Sequence, residues 1–296
     1  LGGTSILLKN RSFNAEEVWD AVQLNRITQF IIVGDAFAKP LLRALDNEPM
    51  RWDTSSLRMI ISSGAMFTTE VKKRLIKHIP ELAIADVLGS TEGGMGQSIM
   101  TKDTPDTETA KFSLMPTAKV FLEDGSREVE PGSGEIGLVA HSGMVPIGYY
   151  KDPEKSARTF REVDGQRYAF PGDMASVEAD GSITLLGRGS NCINTGGEKV
   201  FPEEVEEALK LHPAVEDALV FGLPDDHFGN RVAAVVSLEL ETETSASDIT
   251  MHTRKLLSSY KLPKELTILE SIPRAPNGKP DYQTAQKLFA INRESQ

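Results

Sequence analysis

Leu57-Arg58-Met59-Ile60-Ile61-Ser62, Thr68-Thr69-Glu70-Val71-Lys72-Lys73-Arg74-Leu75-Ile76-Lys77-His78 and Ile84-Ala85-Asp86-Val87-Leu88 follow one another with short turns between them. The outer two are short apolar runs and read as strands. The middle one reads as a helix. Strand–helix–strand alternation predicts a parallel sheet with crossover helices. Upstream the same texture holds. Ser12 can cap a helix with Val18, Trp19, Val22 and Ile27 inside, Phe30–Val33 is a short buried strand, and Pro40 opens a second helix through Leu41, Leu42 and Leu45.

Downstream of residue 112 the pattern changes. Asp124-Gly125, Pro131-Gly132, Asp164-Gly165 and Asp180-Gly181 punctuate short strands, which predicts a small antiparallel β unit over 113–187. From 188 a compact α+β unit is expected. It has a helix starting at Pro202, strands near 215–222 and 231–240, a helix over 247–259, a strand over 265–270, a Pro/Gly loop over 271–281 and a last helix. The predicted fold class is therefore α/β, a parallel sheet continued by antiparallel strands, followed by an α+β domain. The boundary falls at 187/188, in the short stretch Gly187-Arg188-Gly189-Ser190-Asn191.

The 296 residues suit about two domains. The net charge of −11 is spread evenly, −6 over residues 1–187 and −5 over 188–296. An acidic chain without a basic half argues against nucleic acid or an anionic membrane as the main partner. No apolar run is long enough to span a bilayer. One cysteine, Cys192, excludes an internal disulfide and fits a reducing compartment, the cytoplasm, with or without peripheral membrane contact. Leu1-Gly2-Gly3-Thr4 reads as the interior of a longer protein.

Five segments carry chemistry. Leu88-Gly89-Ser90-Thr91-Glu92-Gly93-Gly94 follows a strand at the carboxyl end of a parallel sheet, where open α/β folds bind ligands. Its glycines admit a phosphate, Thr91 offers a hydroxyl and Glu92 a hard oxygen for Mg²⁺. It equally fits a polar turn. Ser62-Ser63-Gly64-Ala65 is small enough for a flat ring to lie on its backbone, or is a plain strand-to-helix turn. Phe170-Pro171-Gly172-Asp173 sets a carboxylate that can accept from two ribose hydroxyls, or a solvated hairpin aspartate. Pro276-Asn277-Gly278-Lys279 puts a point charge on a loop. The longest segment runs from Gly187-Arg188 through Ile193-Asn194-Thr195-Gly196-Gly197-Glu198-Lys199-Val200-Phe201-Pro202-Glu203-Glu204-Val205-Glu206.

That last string resembles the hinge and core motif of the adenylate-forming superfamily, which includes acyl-CoA synthetases, peptide-synthetase adenylation domains and luciferases. The resemblance covers essentially the whole chain and orders the other segments. It implies that Ser63-Gly64-Ala65 contacts adenine and that Gly89-Ser90-Thr91-Glu92 is the Gly-x-Thr-Glu signature, with Thr91 near phosphate and Glu92 on Mg²⁺. It implies further that Asp173 and Arg188 lie near the ribose. Lys279, 91 residues after Arg188, is the implied adenylating lysine. Gly196, Gly197, Glu198 and Lys199 face the site when CoA enters, after the lid turns about Ser190. The implied substrates are ATP, an apolar carboxylic acid and CoA. Together with Ile32–Leu41, the string looks most like fatty-acyl and steroid-side-chain CoA ligases.

Three positions depart from the family pattern. Leu88 stands where an aromatic residue usually stacks on adenine, Pro171 replaces a threonine, and Ser190 replaces the usual Asp or Lys of the hinge. The Ser/Thr/Gly-rich phosphate loop ending in Pro-Lys-Gly is absent. The chain is therefore expected to be the C-terminal part of such a ligase, inactive without its N-terminal part. Two alternatives remain: a non-catalytic nucleotide- or acyl-binding fragment, or a ligase that loads a carrier protein. His78, His141, His212, His227, His252 and Cys192 are assigned no chemical role. Oligomeric state is not legible.

Overall fold

The computed structural model describes residues 2–10, 12–105 and 108–294. Leu1, part of the reading of an internal start, lies outside them. The chain divides into two compact units.

Unit 1 comprises Leu1–Glu135, Val139–Pro171 and Val177–Thr184. It opens with α1 (Ala15–Asn25), β1 (Gln29–Ile32), α2 (Asp35–Asn47), β2 (Met59–Ser62), α3 (Thr69–His78) and β3 (Ala83–Ser90). β1, β2 and β3 pair in parallel, with Ile32 opposite Ser62 and Ser62 opposite Asp86. One apolar core joins them: Trp19, Leu41, Leu57, Ile60, Leu75 and Ile84 are fully buried. The Trp19 indole donates to the Leu41 carbonyl at 3.0 Å, so the buried N–H is satisfied.

Two expectations fail here. Asn14, not Ser12, caps α1, its Oδ1 accepting from the Glu17 amide at 3.0 Å. Ser12 stands two residues too early to reach the free amides of the first turn. α2 starts at Asp35, so Pro40 lies inside the helix instead of opening it. A proline there forfeits one intrahelical bond. Burial of Ala38, Leu41, Leu42 and Leu45 along the same face outweighs that loss.

After β3 the chain doubles back as β4 (Gly93–Met100), antiparallel, with Ser90 opposite Gly93. There follow β5 (Lys111–Leu114), β6 (Ala118–Phe121), β7 (Ile136–His141), α4 (Pro153–Thr159), β8 (Phe160–Val163), β9 (Gln166–Ala169), β10 (Asp173–Val177) and β11 (Ile183–Arg188). Within unit 1, β5 pairs antiparallel with β4 and with the start of β11, and β9 pairs antiparallel with β8 and the end of β7. α4 interrupts the stretch expected to be all β. Asp152 caps it, accepting from the Lys155 amide at 2.9 Å, and Pro153 opens it. Seven residues are too few to show a helical period beside the hairpin signals around them.

Unit 2 comprises Ile136–Leu138, Gly172–Ser176 and Leu185–Gln296. β10 pairs antiparallel with β7 through Met174–Leu138 and Ala175–Gly137. A 3₁₀ turn, Gly189–Asn191, leads into β12 (Ile193–Thr195), β13 (Glu198–Val200), α5 (Pro202–Lys210), β14 (Val215–Asp225), β15 (Gly229–Leu238), α6 (Ala246–Thr253), β16 (Glu265–Leu269) and α7 (Tyr282–Glu294). β15 is flanked by antiparallel β14 and parallel β16. One face of this sheet packs Val220, Val232 and Val236 against Val205 and Leu209 of α5. The other packs Leu219, Phe221 and Val235 against Ala285 and Phe289 of α7. α6 ends at Thr253, short of the expected 259, because the chain leaves it through tighter turns, the Leu256 amide bonding to the Thr253 carbonyl. No helix among the described residues is long and apolar enough to cross a membrane.

Candidate active site

In unit 1 the sequence-predicted residues sit at the carboxyl ends of neighbouring parallel strands, Gly64 and Ala65 after β2 and Gly89–Glu92 at the end of β3. The loop after β2 is braced by Gly34-Asp35. The Gly34 amide donates to Ser62 Oγ at 3.1 Å, and the Asp35 amide to the Met66 carbonyl at 2.9 Å. Gly34 has φ +56°, and a Cβ there would lie 2.2 Å from the Met66 oxygen, so only glycine lets the two segments approach. Asp35 Oδ1 accepts from the Thr68 amide at 3.0 Å and fixes the start of α3.

Thr91 and Glu92 form the two-residue turn of the β3–β4 hairpin. Thr91 and Gly94 are exposed, and Leu88 is buried beside a bulge at Leu88–Gly89. The Glu92 amide donates to Ser90 Oγ at 3.3 Å, and the Tyr149 hydroxyl donates to Glu92 Oε1. Partial burial would raise the Glu92 pKa, but the Tyr149 and Ser90 hydroxyls and its own amide outweigh that. The group is held below the usual glutamate value and stays ionised near neutrality. His141, buried at the end of β7, lies against Gly93. A Cβ on Gly93 would come within 2.3 Å of its Cε1, and its Nε2 has no hydrogen-bond partner among the described residues.

In unit 2 the structure brings Asp173 and Arg188 together, Arg188 Nε lying 3.6 Å from Asp173 Oδ1. The Gly189 amide donates to the Gly172 carbonyl at 3.0 Å, tying the turn before Asp173 to the start of the hinge stretch. Below that stretch lies the half-buried Glu203 of α5. Its carboxylate accepts from the Arg188 amide and the Asn191 side chain. A Cβ on Gly187 would sit 2.1 Å from its Oε2. Burial raises the Glu203 pKa, with those hydrogen bonds opposing and Asp173 adding to the rise. Gly196 and Gly197 form the tip of the β12–β13 hairpin with φ +58° and +88°, and Glu198 and Lys199 are exposed beside it.

Lys279 is exposed on a separate clamped loop. The Ala275 amide bonds the Lys279 carbonyl at 2.9 Å, and the Lys279 amide bonds Asn277 Oδ1 at 3.1 Å. The Arg274 guanidinium reaches Asp217 Oδ2 at 2.6 Å and the Gly278 carbonyl at 3.1 Å.

Sequence reasoning missed Tyr149; it gave His141 no role, and it placed Gly34-Asp35 and Glu203 within longer strings without assigning either a contact. Gly148-Tyr149, in a turn-rich stretch beside Asp152-Pro153, carried only a generic loop signal. Nothing in the sequence pairs Tyr149 with a carboxylate 57 residues earlier. No group of three or more His, Cys, Asp or Glu among the described residues could hold a metal. A single ionised carboxylate beside a hydroxyl fits Mg²⁺ carried by a nucleotide, since that ion is bound through one or two carboxylates plus substrate phosphates.

A sequence profile described as AMP-binding enzyme matches residues 1–150. The chain belongs to the AMP-binding enzyme family. A second profile, AMP-binding enzyme C-terminal domain, matches residues 204–279 of this AMP-binding enzyme chain. A curated relative from Mycolicibacterium smegmatis, named medium/long-chain-fatty-acid--CoA/3-oxocholest-4-en-26-oate--CoA ligase, is 44% identical over 97% of this chain and 52% of its own length. A 3-oxocholest-4-en-26-oate--CoA ligase of Rhodococcus rhodochrous is 43% identical over 96% of this chain and 52% of its own. The chain thus spans about half the length of the curated relatives it matches. The solved structure of a benzoate CoA ligase from Burkholderia xenovorans LB400 superposes with a TM-score of 0.79 over 96% of this chain and 56% of that one. At 23% identity it shows the α/β fold class alone.

Proposed function

We propose that this chain forms the C-terminal part of an ATP-dependent acyl-CoA ligase, which activates an apolar acid, a fatty or steroid-side-chain carboxylate, as acyl-AMP and transfers the acyl group to CoA. The observation that carries this reading is 44% identity across 97% of the chain to a ligase named for those acids. Residues 1–187 belong to its large AMP-binding domain, 188–296 to its lid, and 188–191 to the hinge. The remainder of the polypeptide is its first partner, and a cytoplasmic location suits the single cysteine.

In the first half-reaction a carboxylate oxygen of the acid bonds to the α-phosphorus of ATP as pyrophosphate leaves. In the second the CoA sulfur bonds to the acyl carbon and AMP leaves. Catalysis of the first half rests on positioning and charge. Gly64, Ala65 and Leu88 receive the adenine, Asp173 and Arg188 the ribose, and Gly89, Ser90 and Thr91 the phosphates. Mg²⁺ held at Glu92 would offset charge on the phosphate oxygens. Lys279 binds acid and phosphate oxygens during adenylation. Gly196, Gly197, Glu198 and Lys199 border the CoA thiol in the second half, after the lid turns about Ser190.

The test uses the full-length polypeptide. ATP–pyrophosphate exchange should depend on a fatty or steroid acid, and AMP release should then depend on CoA. Exchange with neither acid class would sink the ligase reading in favour of a binding fragment. Exchange without CoA-dependent AMP release would replace CoA by a carrier protein.

A further inference from the structure

Tyr149 lies outside every motif assigned above, yet it reaches the Thr91-Glu92 turn from a backbone and ring held at several points. Its amide donates to Ser156 Oγ at 2.8 Å, and that hydroxyl donates to the Asp152 carbonyl at 2.6 Å, so the first turn of α4 holds its backbone. The preceding Gly148 allows this approach, since a Cβ there would sit 3.0 Å from Ser156 Oγ. The ring packs against Phe160 at 5.4 Å between centroids, and Lys155 Nζ stands 4.0 Å from the ring centre. Backbone, ring and ring face are all fixed, and the hydroxyl ends on Glu92 Oε1.

The side-chain torsions of a carboxylate at a two-residue turn are soft, and beside Tyr149 the local Ser90 hydroxyl and the Glu92 amide act on this one. A charge-assisted bond from a rigid phenol removes that freedom at one oxygen and leaves the second available. We propose that Tyr149 is a positioning residue for Glu92: it holds the carboxylate with one oxygen engaged and the other presented to a divalent cation that arrives with ATP. This rests on the ligase reading above for its ligand. It adds a residue to the machinery by a contact seen within unit 1. The neighbouring cation, Lys155, stands over the Tyr149 ring and its charge also favours the ionised Glu92.

The experiment compares the full-length protein with Tyr149→Phe, Glu92→Gln and the double variant. Two quantities are followed: the Mg²⁺ concentration that half-saturates pyrophosphate exchange, and the Mg²⁺-dependent rise in Tm on adding ATP. Tyr149→Phe should raise the half-saturating Mg²⁺ about tenfold, the scale of one charge-assisted hydrogen bond. Much of the loss should recover as Mg²⁺ is raised. The double variant should be no worse than Glu92→Gln alone, because Tyr149 acts only through Glu92. Ser156→Ala, which loosens the backbone under Tyr149, should move the half-saturation the same way by less.

An unchanged Mg²⁺ requirement in Tyr149→Phe, or losses that multiply in the double variant, would overturn the proposal and leave Tyr149 a packing residue. If the wild type exchanges with no acid, the ligase reading fails separately, and the Tm measurement decides. Equal loss of the Mg²⁺-dependent rise in both single variants supports the positioning role. A rise kept intact in Tyr149→Phe, or no rise in the wild type, ends it.

Discussion

In the proposed function Lys279 meets a carboxylate and a phosphate at once, which calls for a stiff loop behind a flexible stem. Lys279 has both. The turn from Ala275 to Lys279 is closed by its own backbone, and Arg274 clamps it by bonding Asp217 on β14 and the Gly278 carbonyl together. The Lys279 side chain is exposed to solvent. In the full-length enzyme Lys279→Ala is expected to lower pyrophosphate exchange on the order of a hundredfold or more, the usual scale for one charge on a developing oxyanion. Thioester formation from supplied acyl-adenylate should stay within about threefold, since removal of a group used in one step leaves the other intact. Matched losses in both halves would show that Lys279 serves stability or general binding instead.

The β3–β4 hairpin is the element on which the candidate residues Thr91 and Glu92 of unit 1 depend. Its turn carries Thr91 and Glu92, and its tight return depends on Gly93, whose φ of +153° and contact with His141 leave no room for a side chain. Gly93→Ala should therefore cost about 2–4 kcal/mol in urea unfolding, from overpacking plus backbone strain. Adding His141→Ala should restore part of that loss, the steric part, and leave the backbone part. A double variant no more stable than Gly93→Ala alone would mean that the His141 ring is not what fills the space.

This hairpin also marks the limit of what the sequence discloses. The parallel strands and the apolar face of α1, Val18, Trp19 and Val22, follow from local periodicity, and the glycines flag a turn at Ser90–Gly93. The strings to which ligand roles are proposed are legible because they are contiguous. The supports are not. His141 against Gly93, Tyr149 on Glu92 and Glu203 beneath Gly187 join residues with no shared period, and only strand register or helix docking brings them together. Pro40 fails for the related reason that burial of a whole helix face overrides one residue's preference.

Across the whole molecule the acid excess is mostly solvated, but among the described residues burial raises the pKa of three carboxyl groups. Asp86 and Glu206 are buried and Glu203 is half-buried, and desolvation raises the pKa of each. Lys72, 2.9 Å from Asp86, opposes the rise there without cancelling it. Glu206 is the extreme case, raised to about 8 by burial and by the neighbouring Glu203 charge. Lys210, the Val220 amide at 2.9 Å and the Tyr282 hydroxyl at 3.1 Å work against the shift. A carboxyl that keeps its proton in the folded state and loses it in the unfolded state near 4.5 stabilises the fold most at low pH. That contribution fades as pH rises through the window from about 4.5 to about 8.

Exposed acids such as Asp124, Glu81 and Asp180 have lowered values and work in the opposite sense. Their window lies below the ordinary carboxylate pKa, and solvent screening keeps each effect small. Stability should therefore be greater near pH 5.5 than near pH 8.5, with Glu206 contributing on the order of 3–5 kcal/mol across its full window. Glu206→Gln keeps an acceptor for Val220 and Tyr282 and removes the titration, so it should flatten most of that slope. Both tryptophans, Trp19 and Trp52, lie in unit 1, while Glu206 lies in unit 2. Urea unfolding at the two pH values is therefore best followed by far-UV circular dichroism. A Glu206→Gln variant with the same pH slope as the wild type would place the buried proton elsewhere, on Glu203 or Asp86. Their own glutamine and asparagine variants would then carry the flattening.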